Sequence, residues 1–209
     1  LGDVDVSLSD NLLQAIAGTN GTLQTATVKV IATWVDQENQ PVWHQDITDH
    51  IVIEVPEGIA YDASRSSLRA SSIGEHTIAA KGASGSVLGT STLTVDPSVE
   101  VTCSQLDVLA PCEVHVTQFA PQAPTPQLGQ SWAQVSVSAR MSRVEQSCPV
   151  QLFATCSDGV RMDLTGQPTV SVISDLPGVV LAKDDTTLHA VGSGSARLQA
   201  VWTVDGLTL

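Results

Sequence analysis

Positive charge is scarce in this chain. Nine Lys and Arg stand against 22 Asp and Glu, for a net charge of −13. The basic residues are scattered and form no stripe, which excludes nucleic acid and an anionic membrane surface as partners, because both need concentrated positive charge. No apolar run reaches the roughly 18 residues of a spanning helix, so no membrane insertion is expected within this segment. A basic stretch leading into an apolar one, the mark of a signal peptide, is missing as well. The chain opens at Leu1 and closes on Leu207-Thr208-Leu209, and reads as a piece of a longer mature protein. Charged residues make up only 15%, below the ~25% usual for globular domains. Ser, Thr and Gln fill the polar share, as on the exposed faces of secreted β proteins.

Catalytic and metal motifs are absent too. There is no G-x-S-x-G elbow, no C-x2-C unit and no EF-hand spacing. His44, His50, His76, His115 and His189 sit in no motif with a nucleophile and an acid. No enzymatic activity and no cofactor are expected.

What the chain has is repetition. Ala32-Thr33-Trp34-Val35-Asp36 returns as Ala154-Thr155-Cys156-Ser157-Asp158, 122 positions on. Asp46-Ile47-Thr48 returns as Asp163-Leu164-Thr165. Leu68, Ala70, Gly74, Ile78 and Ala80 return as Leu188, Ala190, Gly194, Leu198 and Ala200, each shifted by 120. One module is therefore present twice, the signature of an array. With 42% hydrophobic residues, each half can bury a core.

Short alternating runs broken by Gly and Pro predict strands: Val4, Val6 and Leu8; Val28 to Trp34; Ile51 to Val55; Val150 to Cys156; Ala196 to Val204. Asp10 to Ala17 reads either as a short helix with Asp10 as N-cap or as a bent edge strand. A segment from Val95 to Trp132 has no counterpart in the first half. Its prolines from Ala120 to Pro126 predict an extended stretch, and Thr125 is a weak O-glycan candidate. The boundary is placed near Pro97, with modules at 1–96 and 97–209 and an insert over about 97–131.

The order A-T-(W/C)-x-D, D-(I/L)-T, Pro-Gly or Pro-x-Gly, L-x-A, then a Gly turn and an alternating strand resembles the group 2 bacterial immunoglobulin-like domains, which occur in tandem in invasin- and intimin-like adhesins. The matching segments run from Thr27 to Ala80 and from Val150 to Ala200. The resemblance implies an all-β fold, two tandem Ig-like Greek-key β-sandwiches, serving as stalk or adhesive modules. It carries no catalytic residues. Four cysteines and the acceptor sequon Asn20-Gly21-Thr22 depart from that family. They suit a eukaryotic secretory product, such as an algal or protist surface filament built of such repeats.

Cys103, Cys112, Cys148 and Cys156 allow three connectivities. Cys148 and Cys156 share parity on one expected strand, which would hold them roughly 26 Å apart, beyond the ~7 Å a disulfide tolerates. Crosslinks from Cys103 and Cys112 to Cys148 and Cys156, in either order, are expected; a hairpin closed by Cys103–Cys112 is the alternative. Paired cysteines place the chain in an oxidising compartment, extracellular or at a cell surface.

Trp34 sits at an inward alternating position and reads as a core tryptophan, as does Trp202. Trp43 follows Pro41 in a polar loop and precedes His44. These two are the candidate ligand contacts, an exposed aromatic able to stack on a sugar or a partner protein, with a half-buried loop anchor as the plainer reading. Asp3, Asp5, Asp10, Asp36, Glu38, Asp46 and Asp49 read as solvated acids, with calcium as the lesser alternative. The expected role is non-catalytic: a structural or adhesive pair from a longer extracellular or filament-forming protein. Its partners would be other repeats of the chain, copies of it, or a surface protein or glycan. The alternatives are a carbohydrate- or receptor-binding module and an accessory domain of a secreted enzyme.

Overall fold

The computed structural model describes residues 2–120 and 132–209; the proline stretch beyond Ala120, with Thr125, lies outside the described residues. The chain is all-β. The described residues form two compact units, Leu1–Cys103 with Cys156–Met162, and Ser104–Thr155 with Asp163–Leu209.

In chain order the first nine strands are β1 (Asp3–Leu8), β2 (Leu12–Ile16), β3 (Ala26–Val35), β4 (Pro41–Asp46), β5 (Val52–Glu54), β6 (Ile59–Asp62), β7 (Ser67–Ala70), β8 (Gly74–Lys81) and β9 (Val87–Val101). One sheet runs β1-β3-β7-β6 with β4 also on β3, and the other runs β2-β9-β8-β5. Alternation decides which side chains meet between them. Val4, Val6, Val28, Val30, Ile59 and Leu68 from the first sheet share one core with Leu13, Ile78, Ala80, Leu93 and Val95 from the second, which makes a β-sandwich. Gly89 lets the sheets close: a Cβ there would collide with the Val4 carbonyl oxygen.

Residues 10–17 form no helix. Leu12–Ile16 is strand β2, and it pairs in parallel with β9 at Thr94, Val95, Glu100 and Val101. That pairing carries the first unit through Pro97 to Cys103, past the expected boundary after residue 96. Asp96-Pro97-Ser98 falls where the register of β2 and β9 shifts, so the missing proline N–H breaks no ladder bond. Asp96 Oδ1 closes the irregularity by accepting the Ser98 amide at 3.0 Å and its hydroxyl at 2.6 Å.

The remaining strands are β10 (Cys103–Leu109), β11 (Glu113–Ala120), β12 (Trp132–Ser138), β13 (Ser147–Pro149), β14 (Gln151–Cys156), β15 (Arg161–Asp163), β16 (Val170–Ser174), β17 (Val180–Asp184), β18 (Thr187–Ala190), β19 (Leu198–Val204) and β20 (Leu207–Thr208). Sheets run β10-β14-β15, β13-β18-β17, β16-β19-β20 and β11-β12. Cys148, Val150, Leu152, Leu164, Val172, Leu188 and Trp202 are buried. Pro149 splits the expected continuous strand of the second half into β13 and β14, in different sheets.

The repeat in sequence is also a repeat of hydrogen bonds. Asp46 Oδ1 accepts the Thr48 amide at 3.0 Å, and Thr48 Oγ1 accepts the Val30 amide at 2.9 Å. Asp163 Oδ1 accepts the Thr165 amide at 2.8 Å, and Thr165 Oγ1 accepts the Leu152 amide at 3.0 Å. The carbonyls of Val30 and Leu152 take the amides of Ile47 and Leu164, the middle residues of the two motifs. Asp62 with Ser64 and Asp184 with Thr186 form a second matching pair of turns. Side-chain caps of this kind let a strand end without orphaning its amides.

Replacing either motif threonine by valine keeps the shape and strands the strand amide beneath it. Thr48→Val and Thr165→Val are each expected to lower unfolding stability by about 1–3 kcal/mol, read by denaturant titration; a change within error for both would contradict the role given to the motif.

Candidate functional site

The most exposed aromatic surface described is the β3–β4 hairpin. Its turn is built by Asp36, whose Oδ1 accepts the amides of Glu38 and Gln40, each at 2.8 Å. Asn39 takes the left-handed conformation, φ 59°, which Asn tolerates better than most side chains. β4 pairs β3 in antiparallel register, with Trp34 opposite Trp43 and Thr33 opposite His44.

Trp34 is not a core residue. It does lie on the inward face of β3, but the hairpin runs past the end of the core and leaves it 42% exposed. Trp43 belongs to a strand, not a loop, and is 58% exposed. Trp202, by contrast, is 2% exposed on β19. Directly opposed residues hold their Cβ atoms about 5 Å apart, so the two indoles share one patch on one face. His44 alternates to the other face, where its Nδ1 lies 3.1 Å from Thr33 Oγ1. Trp43 and His44 therefore do not converge on one ligand, and the partner that Trp43 gains is Trp34. The clue in sequence is Asp36, two residues beyond Trp34: a turn so close means that the strand is already leaving the sandwich.

At the base of the hairpin Asp46 pairs with Lys29 at 3.8 Å. The Thr48 hydroxyl and amide hold the Asp46 carboxyl below its ordinary pKa, with Lys29 adding to the effect. Asn20 is exposed in the turn after β2, an accessible acceptor position. Asp3 and Asp5 sit on the exposed face of β1. No group of three or more His, Cys, Asp or Glu suited to a metal occurs among the described residues.

All four cysteines are paired. Cys103 bonds Cys156, Cα atoms 4.0 Å apart, within the first unit. Cys112 bonds Cys148, Cα atoms 4.7 Å apart, within the second. Such bonds persist in oxidising compartments, and no helix among the described residues is long and apolar enough to cross a membrane.

One acid is not solvated. Asp10 is 8% exposed. Its Oδ1 accepts the Leu12 amide at 2.9 Å, while its Oδ2 is buried without a partner among the described residues. Burial, with the negative Asp158 nearby, raises its pKa above the ordinary value despite the Leu12 amide. No protein-family model matches this sequence, and no curated protein matches it either.

A raised carboxyl pKa favours the folded state at low pH, and that advantage is lost as pH rises through the folded value. At neutral pH the ionised Asp10 is a cost. Asp10→Asn keeps an acceptor for Leu12 and removes the buried charge. It is expected to raise the melting temperature by roughly 2–4 °C at pH 7, with the gain shrinking as acid titrates Asp10 in the parent. An equal gain at pH 7 and in strong acid would rule out this cause.

Proposed function

We propose that this chain is a non-catalytic pair of Ig-like structural and adhesive modules from a longer extracellular or cell-surface protein. The observation that carries the reading is the doubled Asp-x-Thr device, made twice with the same partners in two cored β units. A module repeated at that level of detail is suited to serial connection, where neighbouring repeats of the chain or copies of it are its partners. The acidic surface keeps such an array soluble. The two disulfides resist unfolding where no reducing pool protects a chain. The resemblance to group 2 Ig-like domains of adhesins points the same way.

Intact mass of the native protein, before and after reduction with thiol labelling and deglycosylation, tests this reading. Two disulfides, no labelled thiol before reduction and a glycan at Asn20 are the expected result. Four free thiols would overturn the extracellular assignment.

The exposed Trp34–Trp43 pair favours a second, compatible reading, in which the hairpin is the contact surface for a saccharide ring or receptor. Flat, rigid aromatics give area at low entropic cost. Trp34→Ala and Trp43→Ala are expected to abolish glycan-array signal while leaving the unfolding midpoint nearly unchanged, because neither ring is part of the core. Equal array signal from wild type and both variants would eliminate the hairpin as that surface.

A further inference from the structure

A cleft of about 650 Å³ opens in the second unit between residues 138–144, which begin at the end of β12, and the loop 192–196, which precedes β19. Val179, Val180 and Ala190 form an apolar part of its lining. Arg140 and Arg143 stand on one side, and Ser193 and Ser195 on the other. The loop Gly192-Ser193-Gly194-Ser195 can lie this close only because it lacks bulk. A Cβ at Gly192 would meet the Gly178 carbonyl oxygen at 2.6 Å, and Gly194 holds φ 145° against the Val179 side chain.

The electrostatics run against the rest of the molecule. In a chain of net charge −13, two of six arginines line this cleft and no carboxylate does. Glu145 follows the arginine segment in sequence but does not line the cleft. Lys29, Arg65 and Lys81 are each paired with an acid. Neither Arg140 nor Arg143 has an ion pair or side-chain hydrogen bond among the described residues. The amides of Ser193, Gly194, Ser195 and Ala196 have no acceptor among them either. The Ser138 hydroxyl, buried at the same wall, is also without a partner there. Donors of two kinds without a partner among the described residues, guanidinium forks and successive loop amides, therefore belong to residues that line one cleft, and no acid lines it.

We propose that this cleft binds an oxyanion carried on a sugar-sized ligand, the sulfate ester or carboxylate of an acidic saccharide. Planar guanidinium groups and consecutive free amides are the donors that oxyanions take. The volume lies in the range of small-ligand sites and exceeds what a bare inorganic anion would fill. The valines offer a surface for the C–H face of a sugar ring. The chain's net charge of −13 repels a long polyanion, so the ligand is a short or terminal acidic unit. This function stands apart from the structural role and from the tryptophan hairpin, and does not depend on either.

Titration calorimetry on the full 209-residue chain tests it with four probes: a sulfated disaccharide, a uronate disaccharide, a neutral disaccharide and inorganic sulfate. Saturable binding of at least one acidic disaccharide is expected, weakening as salt is added. It should fall by at least about tenfold in Arg140→Gln/Arg143→Gln and stay unchanged in Arg69→Gln, which removes one arginine charge from β7, outside the cleft. The split between the sulfated and uronate probes assigns the anion. The proposal is overturned if no acidic probe binds, if the neutral disaccharide or inorganic sulfate binds as tightly, or if the double variant, with its melting temperature intact, retains full affinity.

Discussion

Burial of small aliphatic side chains on alternate strand positions is the constraint on which this structure rests. Aromatic residues make up only 3% of the chain, so the first core is filled by Val, Leu, Ile and Ala. Side chains of this size let two sheets approach closely, and Gly89 against the Val4 carbonyl marks the limit of that approach. A core of this kind has no large ring to lock a register. Register is held instead by period-two alternation, since a slip of one residue would turn Val28 and Val30 outward and Lys29 inward. The Asp-x-Thr caps do the rest. They fasten a strand amide at a fixed place, so that the chain leaves the sheet at the same residue in both units.

Much of this could be read from the residues. Val28, Val30 and Ala32 alternate in sequence and are all buried in the structure. What alternation misread or left open has a common cause. Periodicity reports which face a residue belongs to, not whether that face is covered. Trp34 has the right parity, and the core ends before it. Leu12–Ile16 is apolar almost throughout, which suits a buried strand or a helix equally. Its fate is decided by β9, some 80 residues away in sequence, and no local window contains that information. Asp96-Pro97 has the composition of a linker, yet the chain absorbs it as an irregularity within one long strand. A turn motif read locally cannot distinguish a break between modules from a bulge inside one.

The cysteines show the same limit from another side. Separating Cys148 from Cys156 on grounds of reach presumes a continuous strand, and Pro149 breaks that strand in two. The two cysteines still fail to meet, because their halves join different sheets. Each bond instead closes a long loop, with sequence separations of 53 and 36 residues. On a chain-entropy view, loops of that length are worth about 4 kcal/mol each. That is comparable to the net stability of many small domains, so the bonds supply a large part of what an aromatic-poor core does not.

Comparison of the two halves separates folding from function. The residues retained between them are the ones the sandwich needs: small aliphatics at inward positions and the Asp-Thr caps. The two surfaces proposed to bind fall where the halves diverge. Trp34 is matched at the shift of 122 by Cys156, a buried disulfide partner. Arg140 and Arg143 fall at that shift on Gly18 and Gly21, in the turn that carries Asn20. The hairpin platform is uncharged aromatic surface on one unit, and the cleft is concentrated positive charge on the other. If the two proposals hold, desolvation of flat apolar area would drive contact at the first and be little affected by salt, while arginine donors meeting an anion would drive contact at the second and be screened. The two units thus share the Asp-x-Thr caps and buried aliphatic positions while their exits and loops differ, so surface chemistry can change without disturbing the core beneath it.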